Sequence, residues 1–157
     1  MENLLLTRVD DRLIHGQVMT AWMKLLPAKE IVIVDDKVAK DDFMISVLEM
    51  AAPKGVKVKV FSSEKAIEYL QGGLSQPSIM LAKTPLTYKA IVDGGISLEK
   101  INLGGMGINE TRKTLLKNIA ASEEERESLK EFLAKGIEVE IQVIPNDKVV
   151  KVADLLK

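Results

Sequence analysis

Apolar residues fall along this chain in short blocks whose spacing switches between two periods. Leu4-Leu5-Leu6-Thr7-Arg8-Val9, Ile31-Val32-Ile33-Val34, residues 56–61, Ile79-Met80-Leu81-Ala82 and residues 100–103 are short aliphatic runs, which predict strands. Between them the period lengthens. Ile14, Val18, Ala21, Trp22 and Leu25 recur at helical spacing, with Pro27 at the exit, and Phe43, Val47, Leu48 and Ala51 predict the apolar face of a second helix, ended by Pro53 and Gly55. Ser62 and Ser63 offer caps to a helix over 64–70 that Gly72-Gly73 stops. Thr84-Pro85 places a capping hydroxyl before a proline in the first helical position, and Gly94-Gly95 closes that helix. Ser122 with Glu125 three residues on forms a capping box for a helix ending before Gly136. A strand over 137–144 and an amphipathic helix over 147–156 complete the pattern, whereas 108–121 shows no clear period and is read as loop with a short strand or turn.

Strands alternating with helices predict an α/β protein with a mostly parallel sheet covered by helices. No repeat, low-complexity tract or linker interrupts it, so residues 1–157 are read as one domain.

Composition narrows the chemistry. Aromatics are only 4% of the 157 residues, so the core must be aliphatic, and the seven methionines read as core filler. The net charge of −1 gives no global positive field for nucleic acid or an anionic membrane, so any anion site must be local. With no cysteine there are no disulfides or thiolate ligands, and a single histidine leaves no tetrahedral zinc set. The first residues lack a signal-peptide pattern and no run approaches the roughly 20 apolar residues of a bilayer span, so a soluble, cytoplasmic protein is expected.

The chemically dense stretch is Arg8-Val9-Asp10-Asp11-Arg12-Leu13-Ile14-His15-Gly16-Gln17, between the first strand and the first helix. Ligands of open parallel sheets bind at the carboxyl ends of strands. A neutral imidazole nitrogen is a nucleophile, so His15 is the candidate phosphoryl acceptor. Arg12 and Arg8 are candidates to neutralise phosphoryl oxygens, which is most of what a loose phosphoryl-transfer transition state requires. Free N–H groups at the helix start add donors, and Asp10 or Asp11 is placed to hold one ring nitrogen. Taken alone, such a histidine is as readily a surface or capping residue.

Other signals are weaker. Gly104-Gly105-Met106-Gly107 lacks the lysine and hydroxyl of a P-loop and reads as a tight turn or a loop bordering His15. Lys83 and Thr84 at the fourth strand end either join that border or merely cap a helix. Asp35-Asp36 suits a cation, but solvated loop acids are the commoner use.

The decapeptide around His15 resembles the active-site signature of the IIB components of the mannose/fructose/sorbose family of bacterial phosphotransferase systems (PTS). Trp22, Ala52-Pro53-Lys54-Gly55-Val56, Asp93-Gly94-Gly95-Ile96, Asn102-Leu103-Gly104-Gly105-Met106 and Lys135-Gly136-Ile137-Glu138 resemble further family landmarks, in order, over nearly the whole chain. The resemblance implies a three-layer α/β/α fold around an open, twisted, mostly parallel sheet. It implies that His15 takes a phosphoryl group on Nδ1 from a IIA phosphohistidine and passes it to a sugar held by the membrane IIC/IID permease. Arg12 then matches the arginine that steadies the group, and Arg8 and Asp10 match further loop residues. No metal or organic cofactor is implied, and the chain would sit in the cytoplasm against the inner face of the plasma membrane through IIC/IID. The sugar (mannose, fructose, sorbose or an amino sugar) stays open, as does a homo-oligomeric state. Two other classes compete: a receiver-like domain phosphorylated on Asp10 or Asp11, although the third strand ends without the aspartate such a switch needs, and a passive anion-binding module using Gly104-Gly105.

Overall fold

The computed structural model describes residues 1–156. In chain order these form β1 (Leu4–Asp10), α1 (Gly16–Leu25), β2 (Glu30–Val34), a 3₁₀ turn (Val38–Lys40), α2 (Asp42–Ala51), β3 (Lys57–Phe61), α3 (Ser63–Gln71), β4 (Ser78–Ala82) and α4 (Pro85–Asp93). There follow β5 (Lys100–Gly105), β6 (Lys113–Leu116), β7 (Ile119–Ala121), α5 (Glu123–Ala134), β8 (Glu138–Ile141), β9 (Val150–Lys151) and a 3₁₀ turn (Val152–Asp154).

Seven strands make one sheet in the order β3-β2-β4-β1-β5-β8-β9. All its neighbours run parallel except the last pair, where β9 returns antiparallel to β8. Alternation along the strands divides the core in two. Val32, Val34, Met80 and Ala82 face the side covered by α3, α4 and α5, while Ile31, Ile33, Ile79 and Leu81 face α1 and α2. The architecture is therefore α/β with helices on both faces, as expected. No helix among the described residues is long and apolar enough to cross a membrane.

Three elements depart from the sequence pattern. The helix expected over 147–156 does not form: Ile144 N donates to the Asp147 carboxylate and Asp147 N to the Ile144 carbonyl, closing a turn that returns the chain as β9. Val152 then buries completely in the core, which fixes this path. The eighth strand is shorter than 137–144: Gln142 N still donates to the Leu103 carbonyl, but the Gln142 carbonyl is taken by the side chains of Arg8 and Asn102, and its side-chain amide donates to the carbonyls of Pro145 and Asp147. In α2 the buried face is rotated. Phe43 and Val47 are exposed, whereas Met44, Ile45 and Leu48 pack inward. A helix reading Asp-Phe-Met-Ile-Ser-Val-Leu-Glu-Met-Ala is apolar on most sides, so its period does not select a face. Residues 113–121 form a β6–β7 hairpin, with Lys117 at φ 45° in its turn.

Candidate active site

The loop 11–15 leaves the carboxyl end of β1, a central strand, and enters α1. Leu13 adopts φ 58°, a left-handed conformation that a leucine side chain disfavours by about 1–2 kcal/mol. Burial of Leu13 and Ile14 in the α1–α2 core offsets that strain, and Leu13 N donates to the Asp10 carbonyl at 2.9 Å. His15 follows as the N-cap of α1, and its side chain makes no capping bond. The first turn of α1 contains no acidic residue, so its N–H groups and dipole remain available to an anion.

The imidazole is half-buried, and its Nδ1 is enclosed without a hydrogen-bond partner. The expectation that Asp10 or Asp11 holds the ring is not met, because arginines take both carboxylates. Asp10, 1% exposed, accepts from Arg12 N at 3.0 Å, Arg12 Nε at 3.1 Å and Arg12 Nη2 at 3.3 Å. The buried Arg8 reaches the same carboxylate at 3.4 Å.

Arg8 is sealed on every side. Nη1 donates to Asn102 Oδ1 at 2.7 Å and to the Gln142 carbonyl at 3.1 Å, and the guanidinium lies 5.6 Å from the centroid of the Trp22 ring. Trp22 in turn donates Nε1–H to the Val143 carbonyl. Burial lowers the Arg8 pKa, against the raising effect of Asp10. Arg12 differs: its side chain is 48% exposed, on the cleft side of the loop. That cleft, about 340 Å³, is lined by Asp10, Asp11, Arg12, Gly105, Asn118 and Val143 among others.

Gly104 and Gly105 are the last residues of β5 rather than a loop, and they make room. A Cβ at Gly104 would overlap the Arg8 guanidinium, and one at Gly105 would lie 2.7 Å from Asp10 Oδ1. They admit the Arg8–Asp10 pair and line the cleft beside Arg12.

A second assembly was not foreseen from sequence. Asp11 accepts from Gly107 N at 2.6 Å and from Arg112 Nη1 at 2.9 Å. Arg112 Nε and Nη2 each donate to Glu125 at 2.8 Å, and Thr84 donates its hydroxyl to Glu125 at 2.7 Å. The Lys83 carbonyl accepts from Arg112 at 3.5 Å. Lys83 and Thr84 thus join this assembly, and Thr84 also caps α4. Bonds to Glu125 lead in raising the Arg112 pKa above the ordinary arginine range. Burial alone would push the Glu125 carboxyl up, but bonds from Arg112, Thr84 and the Ser122 amide overcome it, and it titrates below the usual glutamate range. The one sequence signal was Glu125 in its capping box, which holds it at the N-terminus of α5 facing Arg112.

Asp35 accepts from the amides of Lys37 and Val38 and closes a turn, and Asp36 accepts from Ser63 N at the start of α3. Among the described residues no cluster of three or more His, Cys, Asp or Glu is placed to hold a metal ion.

Residues 4–157 match the model of the PTS system sorbose subfamily IIB component. The chain is 32% identical over 154 residues to the N-acetylgalactosamine-specific phosphotransferase enzyme IIB component 1 of Escherichia coli (strain K12), covering 97% of this chain and 98% of that protein. It is 36% identical over 144 residues to the PTS system sorbose-specific EIIB component of Lacticaseibacillus casei, covering 90% and 88% of the two chains. The crystal structure of the IIBSor domain of the sorbose permease from Klebsiella pneumoniae superposes with a TM-score of 0.91 at 32% identity, over 98% of this chain and 95% of that one. The chain belongs to the sorbose-subfamily IIB components of the mannose/fructose/sorbose-type sugar phosphotransferase systems.

Proposed function

We propose that His15 is the phosphoryl carrier of this chain, which acts as one cytoplasmic IIB unit. It accepts PO₃ from a IIA phosphohistidine and passes it to a sugar held by the membrane IIC/IID permease. The observation that carries this reading is an imidazole at the N-cap of α1, making no capping bond and with its Nδ1 unpartnered among the described residues, together with a half-exposed arginine on the same loop.

In the first step the donor's P–N bond breaks as a P–N bond forms on His15, and the donor imidazole leaves with the electron pair. In the second, a sugar hydroxyl oxygen attacks phosphorus, the His15–phosphorus bond breaks and the hydroxyl proton is released. Arg12 steadies the phosphoryl oxygens, and the first N–H groups of α1 receive the rest of the charge. Arg8 and Asp10 act from beneath: Arg8 fixes Asp10, and Asp10 fixes both the backbone and the guanidinium of Arg12. Transfer at Nδ1 requires the ring to turn outward about its side-chain bonds. No hydrogen bond has to break for this, and turning out relieves an enclosed nitrogen that has no partner.

Incubation with a phosphorylated IIA protein of the family, followed by mass spectrometry, tests the reading. A label on His15 that is lost in mild acid is expected, and His15→Ala should take no label while keeping its fold. Arg12→Ala should slow transfer by roughly 10²- to 10³-fold, the cost of one lost charge-stabilising donor. An acid-stable label, or full labelling of His15→Ala, would overturn it.

A further inference from the structure

We propose that Arg112 is a positioning residue for phosphoryl transfer, setting the His15 loop through Asp11; this rests on His15 being the acceptor. Among the described residues the imidazole Nδ1 has no partner and the side chain makes no capping bond, so the backbone of the loop 11–15 is what aims the ring. That loop has two side-chain anchors, Asp10 and Asp11. Asp10 secures the strand end. Asp11 secures the outer part, and its partners are Gly107 N and Arg112. Between this anchor and His15 lies Leu13 with its left-handed backbone, a strained residue that stays put only where its surroundings hold it.

Arg112 is built for the task. It is 9% exposed, and its own backbone is set by Asn109, whose Oδ1 accepts from the amides of Thr111 and Arg112. One edge of the guanidinium serves Asp11 while the other holds Glu125, itself fixed by the capping box of α5. The loop is thereby referred to a helix on the opposite face of the sheet. A lysine ammonium, a point charge on a flexible stem, does not serve two carboxylates in this fork geometry.

The chain contains one histidine, so its ring signals in ¹H–¹⁵N spectra are unambiguous. Those signals can be compared in wild type, Asp11→Asn, Arg112→Lys and the double variant. The same four proteins can be timed for phosphorylation by phosphoramidate, whose P–N bond breaks, with loss of ammonia, as the His15–phosphorus bond forms. This small donor removes partner docking from the measurement. Each single variant should shift the His15 resonances and slow labelling about tenfold or more, with the double variant no slower than the worse single. Asp11→Asn leaves the Arg112–Glu125 pair in place, so it should keep the wild-type melting temperature, separating loop geometry from stability. His15 signals and labelling rates within about twofold of wild type in both folded single variants overturn the proposal alone. Failure of wild type to label at His15 overturns the acceptor reading, and the proposal with it.

Discussion

The His15 loop lies between two arginine–carboxylate assemblies that use the same chemistry at different depths. In the inner one, Arg8, Asp10 and Arg12 lie within five residues, and both members of the Arg8–Asp10 pair are 1% exposed. In the outer one, Arg112 reaches 101 residues back to an Asp11 that is 37% exposed, and 13 residues forward to Glu125. Burial dominates at Arg8 and lowers its pKa, whereas hydrogen bonds dominate at Arg112 and raise it. A charge that is costly to bury and fully enclosed fixes one arrangement, since every alternative strands an ion away from water. The outer bridge ends at a part-exposed Asp11, where water can replace the Arg112 guanidinium, so releasing that end displaces a loop and leaves the fold standing. The inner assembly builds the site and the outer one adjusts it.

The sharpest way to break that contrast is Arg8→Ala. Removing the buried cation leaves Asp10, Asn102 and the Gln142 carbonyl without a donor they are built around, and a loss of about 3–5 kcal/mol in urea unfolding is expected. A loss below about 1 kcal/mol would show that water replaces the guanidinium and that the inner assembly is not structural.

Gly104→Ala probes the same assembly without removing a charge. The added methyl would overlap the Arg8 guanidinium, which Trp22, Asn102 and Asp10 prevent from retreating. Overpacking of this kind costs about 1–3 kcal/mol. Unfolding free energies equal to wild type would mean that Arg8 has room to shift, contrary to its complete burial.

The two assemblies also differ in how far the sequence announces them. The inner one is local: Arg8, Asp10 and Arg12 stand together in one polar segment between apolar runs, so their grouping could be read directly. What could not be read was orientation, which sends Arg8 inward under Trp22 and leaves Arg12 at the cleft. Gly104-Gly105 reads as a tight turn or a bordering loop because a glycine pair gives the same signal whether it turns the chain or clears space for a neighbour. Arg112 lies in Asn109-Glu110-Thr111-Arg112, which has no period, and its partners come from three separate elements. The fold shows the same division. Strands rich in Val and Ile and helices with Ser or Thr caps were predicted near their observed bounds, because their causes are local. The path of 142–156 depends on which strand edge is open and on Val152 reaching the core, and the inward face of α2 depends on what lies beneath it.

The smallest expected effect concerns the far end of the outer assembly. Glu125→Gln keeps the size of the side chain but removes the charge that Arg112, Thr84 and Ser122 N address. A loss of about 1–2 kcal/mol is expected at pH 7, because the bonds lose their charge assistance and the amide nitrogen faces donors where an oxygen had accepted. The pH dependence carries the sign. Because the folded-state pKa of Glu125 lies below the usual glutamate range, ionised Glu125 stabilises the fold fully above the unfolded value of about 4.3, and that contribution is lost as the pH falls through the lower folded value. Wild type and Glu125→Gln should therefore differ in urea midpoint at pH 7 and converge in acid, while the remaining carboxylates cancel in the difference. A gap that stays constant from pH 7 to about pH 3 would mean that Glu125 holds the rim by shape alone.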